Sequence, residues 1–246
     1  MSRIAGQTHQ RPTLLLAAHG TQVEAGVRTI DRLVCAVRVR RPELRIERAF
    51  LDVLEPSLAN VLTPDLGPTV VVPLLLSTGY HVSQDIPSVV AERPDTVVSR
   101  HLGPDPLLTV ALVDRLDAAR AARADRAARP APAGTVALVA TGSSNPAAED
   151  DLRAAADLLA DALGRDVVAA SIGDPGLDRR LRGCTEVASY LLAEGFFEQS
   201  LRARASSAGI DVVSEVLGAH PAVVELVLTR YEAAATAAAG SGAGSR

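Results

Sequence analysis

The chain has 246 residues, enough for one large domain or two of ordinary size. Hydrophobic residues make up 48% of it but aromatics only 2%, so Leu, Val and Ala must fill its cores. A net charge of −4 argues against nucleic acid as a partner, and no stretch approaches the roughly 20 apolar residues that span a bilayer.

In chain order, the start "MSRIAGQTHQRP" is polar and lacks an apolar signal core, so residues 1–12 read as a disordered arm and the protein as cytoplasmic, with no membrane partner. The first apolar run lies in "LLLAAHGT" and ends abruptly at His19, Gly20 and Thr21. Val27, Ile30, Leu33, Val34 and Val37 follow at helical spacing and put one apolar stripe on a helix. The basic end of that helix, "RVRRPELR", complements the helix dipole. Further apolar runs cover residues 46–51, 69–76 and 96–101, and a closing helix begins at Pro106. These runs are apolar almost throughout, as suits strands buried on both faces of a parallel sheet. Cys35 and Cys184 stand alone and read as buried free thiols.

"DAARAARADRAARPAPAG" is a helix decaying into a linker, placed at residues 123–134. Beyond it the chain repeats itself. "TLLLAAHGT" matches "TVALVATGS", "VVPLLLSTGYH" matches "VASYLLAEGFF", and "VVSRHLGPDP" matches "VVSEVLGAHP". We therefore expect two α/β domains, residues 13–122 and 135–236, each a four-stranded parallel sheet flanked by helices, related by a pseudo-twofold axis. The Ala/Gly/Ser-rich end, residues 237–246, reads as a disordered tail.

In open parallel sheets, ligands bind beyond the carboxyl ends of the strands. The polar residues there are His19 after the first run, Asp52 after the second and His81 after the third. With strand order 2-1-3-4, the second and third strands flank the first at ~4.8 Å, and the three groups can converge. Two imidazoles and a carboxylate suit Fe²⁺, Co²⁺, Ni²⁺ or Zn²⁺ and leave positions open for a substrate. Each residue has a plainer reading: His19 as a loop residue, Asp52 as a cap on the helix near Pro56, His81 as a turn residue. In the second half Thr141 replaces His19, Gly173 falls near Asp52 and Phe197 replaces His81. The scaffold is repeated without the ligands. Asp85 reads as an N-cap or a substrate contact. His101 reads as structural, and His9 and His220 as incidental.

The first half resembles the sirohydrochlorin/cobalt chelatase family, the class II chelatases that insert a metal into precorrin-derived tetrapyrroles. The resemblance rests on "LLLAAHGT", "AFLDVLEPSL", "VVPLLLSTGYHVSQDIP" and "LGPDP". It implies His19 and His81 as catalytic, metal-handling residues, with an acidic residue matching Asp52, where the family more often has Glu. It also implies a sirohydrochlorin-type tetrapyrrole and a divalent metal, Fe²⁺, Co²⁺ or Ni²⁺, as substrates, with no organic cofactor. Thr21, Thr78, Gly79 and Phe197 are the candidate tetrapyrrole contacts. Phe196 and Phe197 either stack on the macrocycle or pack in the core. Arg100 is a candidate partner for substrate carboxylates. With two domains in one chain, a monomer can assemble the whole cleft. A histidine phosphatase would want Arg before the first His, where this chain has Ala18. A non-catalytic metal or tetrapyrrole carrier on the same fold is the alternative, separable by turnover.

Overall fold

The computed structural model describes residues 11–127 and 134–242; most of the expected arm, linker residues 128–133 and tail residues 243–246 lie outside these. The first half contains strands β1 (Thr13–Ala18), β2 (Ile46–Phe50), β3 (Thr69–Pro73) and β4 (Thr96–Val98). Its helices are α1 (Glu24–Arg40), α2 (Leu58–Val61), α3 (Ile86–Val90) and α4 (Pro106–Ala127). The second half follows with β5 (Val136–Ala140), β6 (Val167–Ser171), β7 (Glu186–Ser189) and β8 (Val212–Val213). Its helices are α5 (Pro146–Leu163), α6 (Leu177–Leu181), α7 (Phe196–Ser207) and α8 (Pro221–Gly242). The two sheets run β2-β1-β3-β4 and β6-β5-β7-β8, parallel throughout.

Every residue of β1 is buried, because helices cover both faces of its sheet. Leu14, Leu16 and Ala18 face a core shared by both halves, while Leu15 and Ala17 face a smaller core under α2 and α3. The shared core takes side chains from both sheets and from α1, α4, α5 and α8. Each closing helix reaches across. α4 packs on β7 and β8 of the second sheet, and α8 on β3 and β4 of the first.

Charge fixes this exchange. Glu186 on β7 is 1% exposed, yet Arg120 of α4 grips both its carboxylate oxygens at 3.1 and 2.7 Å. Arg165 adds a third bond at 3.0 Å. In return, Arg230 of α8 donates to the carbonyls of His101 and Leu102 at 3.0 Å each and to Asp105 at 2.8 Å.

Three expectations need correction. α4 continues through Ala127, past the expected boundary at 122, because "AARADRA" is rich in strong helix formers. α8 likewise runs to Gly242 through the alanines of the expected tail. Cys35 is exposed and only Cys184 is buried: Leu33, Val34 and Val37 take the core face of α1 and turn Cys35 outward. Among the described residues, no helix is long and apolar enough to cross a membrane.

Removing Arg120 leaves the buried Glu186 carboxylate with Arg165 as its one remaining cation and one oxygen without its guanidinium partner. Arg120→Ala should therefore cost about 3 kcal/mol in urea unfolding. Arg153→Ala, which removes only exposed pairs with Glu149 and Asp150, should leave the unfolding midpoint nearly unchanged. Equal losses would contradict the seam assigned to Glu186.

Candidate metal centre

The strand ladder continues past the strand ends and carries the polar residues with it. The amide of Leu51 donates to the Ala18 carbonyl at 2.8 Å, and that of Asp52 to the His19 carbonyl at 3.1 Å. On the other side the Leu74 amide donates to the Ala17 carbonyl at 2.8 Å. Gly20 follows His19 with φ +97°, and a Cβ there would collide with the Asp52 carbonyl. Only glycine lets the His19 turn lie this close to the Asp52 turn.

Ligating atoms of His19, Asp52 and His81 lie within 4.8 Å of one another. Two donors on one ion at ~2.1 Å each are at most ~4.2 Å apart, so side-chain rotation closes the remaining gap. The His19 and His81 rings stand 4.6 Å apart between centroids, tilted by 48°. Packing around His19 and the neighbouring His81 lower the His19 pKa, against a smaller opposing pull from Asp52. This favours the neutral imidazole that a metal needs.

Asp52 does not cap α2; Ser57 does. One Asp52 oxygen instead accepts the Val53 amide at 2.7 Å. Val53 adopts φ +66°, a strained setting for a β-branched residue. Asp85 does not cap α3 either. It lies in a π-helical turn, His81–Asp85, and its carboxylate meets His81 Nδ1 at 2.6 Å.

The other candidates lie at the seam between the halves. The Thr21 hydroxyl accepts the Val23 amide at 3.2 Å, and its side chain packs beside Gly195. The Thr78 amide donates to Asp151 of α5 at 2.6 Å, and its hydroxyl meets His101 Nε2 at 3.1 Å. Gly79 sits beside Ser143. The contacts are reciprocal: the loop after β3 touches the loop after β5, and the loop after β7 touches the loop after β1. Phe197 is 43% exposed and Phe196 71%, which overturns core packing for both. Arg100 is exposed. His220 accepts the Ala222 amide at 3.2 Å and pairs with Asp114 at the start of α8.

Some residues at the seam carried no recognisable sequence signal. Asp151 lies in the acidic run "AAEDDLR", which reads as a solvated helix face. The Tyr190 hydroxyl donates to the Leu76 carbonyl at 3.2 Å across the seam, and burial raises its pKa. The His81–Asp85 spacing of four was visible, but only a helical turn makes it a contact.

Residues 13–119 match the CbiX family model. The first half of the chain is a CbiX-family domain. Solved structures extend the likeness of the fold beyond this CbiX half. SirB from Bacillus subtilis with Fe³⁺ is 22% identical, with a TM-score of 0.75, over 94% of this chain and 98% of that one. The sirohydrochlorin chelatase SirB from Bacillus subtilis subspecies spizizenii, in complex with cobalt, is 22% identical, with a TM-score of 0.77, over 94% and 97%. CbiX, the terminal enzyme for biosynthesis of siroheme in denitrifying bacteria, is 21% identical, with a TM-score of 0.66, over 90% and 99%. No curated protein matches the sequence.

Two imidazoles, the exposed His19 and the partly buried His101, make stability depend on pH. His101, like His19, has a pKa below the ordinary 6.5: burial lowers it most, Asp151 opposes, and Arg100 and Arg230 push it further down. The unfolded chain takes up these protons near pH ~6.5 and the native fold only at lower pH. Stability is therefore lost as pH falls below 6.5 towards the lowered values. Melting temperatures measured from pH 7 to 5 should fall, and fall less steeply in His101→Gln. An unchanged slope in that variant would remove His101 from the account.

Proposed function

We propose that this chain inserts a divalent metal ion, Fe²⁺ or Co²⁺, into a sirohydrochlorin-type tetrapyrrole, in siroheme or cobalamin biosynthesis. One observation carries the reading. His19, Asp52 and His81 meet at three adjacent strand ends of the CbiX half, and the corresponding positions of the other half hold Thr141, Gly173 and Phe197. The names of the SirB structures, one with Fe³⁺ and one with cobalt, support it.

In this mechanism His19 and His81 hold the incoming ion, and Asp52 offers its second carboxylate oxygen. The macrocycle gives up two pyrrole N–H protons as its nitrogens take the ion. Neutral imidazole is suited to accept them near pH 7. No electron is transferred, and no organic cofactor is required.

The first half then acts as the catalytic unit and the second as a degenerate one that closes the cleft. Gly195 brings the start of α7 against Thr21, two residues from His19. The exposed ring of Phe197 lies in the first turn of that helix and gives the flat substrate an apolar face. Thr21, Thr78 and Gly79 line the seam on which the macrocycle rests, and a single chain supplies both sides.

Anaerobic absorbance of sirohydrochlorin with Fe²⁺ or Co²⁺ tests the proposal. His19→Ala or His81→Ala should lower kcat/KM at least ~100-fold with little change in melting temperature. Binding without turnover by the native chain would favour a carrier instead.

Phe197→Ala should raise KM for the tetrapyrrole several-fold and leave affinity for free Co²⁺ unchanged. Equal losses in both would argue against stacking.

A further inference from the structure

We propose that Asp85 is a positioning residue. Its carboxylate holds His81 as the Nδ1–H tautomer and leaves the Nε2 lone pair for the ion. The inference rests on the metal-site reading above and adds the group that selects the donor atom.

The π-helical turn His81–Asp85 puts the two side chains on one side of the backbone, with Nδ1 and the carboxylate 2.6 Å apart. An ionised carboxylate only accepts, so a neutral His81 must carry its proton on Nδ1. Nε2 is then the nitrogen with a free lone pair. Asp85 has no capping duty to account for it, since it makes no side-chain bond to the start of α3.

The repeat supplies an independent comparison. Where the second half has Phe197 in place of His81, the position four residues on is Leu201, which is fully buried. The imidazole and its carboxylate are absent together. A carboxylate needed only to build the turn has no reason to vanish with the histidine, since α7 forms without it. Among the described residues, no carboxylate is hydrogen-bonded to His19, so the two imidazoles are held differently. His19 depends on its backbone ladder and Gly20, and His81 on Asp85. A carboxylate behind a ligating imidazole fixes the ring and strengthens its free nitrogen as a donor, and losing one typically costs 10–100-fold in metal affinity.

The test uses the full-length chain. Long-range ¹H–¹⁵N NMR of the metal-free protein at about pH 8 reads the His81 tautomer, and titration with Co²⁺ alone reads affinity. Native His81 should be the Nδ1–H form. Asp85→Ala should release it to a mixture and weaken Co²⁺ binding about 10–100-fold. Asp85→Asn, which keeps the shape and an acceptor oxygen, should retain the tautomer and lose less affinity. In a His81→Ala background, Asp85→Ala should change Co²⁺ affinity no further.

An Nε2–H tautomer in the native chain would overturn the proposal. So would an equal loss in the His81→Ala background, which would make Asp85 a ligand in its own right or a purely structural residue. A native chain that keeps the Nδ1–H tautomer but binds no Co²⁺ would instead sink the metal reading and leave the Asp85 assignment standing.

Discussion

The site depends on the parallel order β2-β1-β3, which puts three strand ends side by side with β1 in the middle. Backbone hydrogen bonds from Leu51 and Asp52 to the carbonyls of Ala18 and His19 prolong that pairing beyond the strands. The ligating groups are thus held by the sheet rather than by free loops. Precision of this kind matters because an ion at ~2.1 Å tolerates little slack. Val53 shows the associated strain: its left-handed backbone places its amide on the Asp52 carboxylate.

The second constraint is the exchange of closing helices. Because α4 covers the second sheet and α8 the first, neither half completes its own core. All 25 cationic residues of the chain are Arg, and the planar, multi-donor guanidinium suits the bidentate grip on Glu186. The second half is therefore part of the fold of the first. It supplies a sheet for α4 and a helix for the first sheet. Through Asp151 and Gly195 it also supplies neighbours for the loops that carry Thr78 and Thr21.

Much of this was legible in the sequence because the signals were periodic or repeated. Unbroken apolar runs marked buried parallel strands, the internal repeat marked the two sheets, and a polar residue after each run marked His19, Asp52 and His81. What escaped depended on contacts between distant segments. Nothing local distinguishes Glu186 from a solvated charge, or Asp151 from its acidic neighbours. Asp85 was misread as a cap because a π-helical turn cannot be told from a helix start by composition. Cys35 was misplaced because a small apolar residue one step off the stripe of α1 looks like part of it. The low aromatic content did point somewhere: Tyr80, Phe196 and Phe197, half of the six Phe and Tyr residues, are exposed at corresponding turns of the two halves.

If the proposed site is right, one half of the repeated fold holds metal and the other does not. Anomalous diffraction from crystals of the full chain soaked in Co²⁺ tests it most directly. One strong peak bounded by His19, Asp52 and His81 is expected, and none beside Thr141, Gly173 and Phe197. A peak at the second position, or a cobalt ion held elsewhere with the histidine pair vacant, would contradict it.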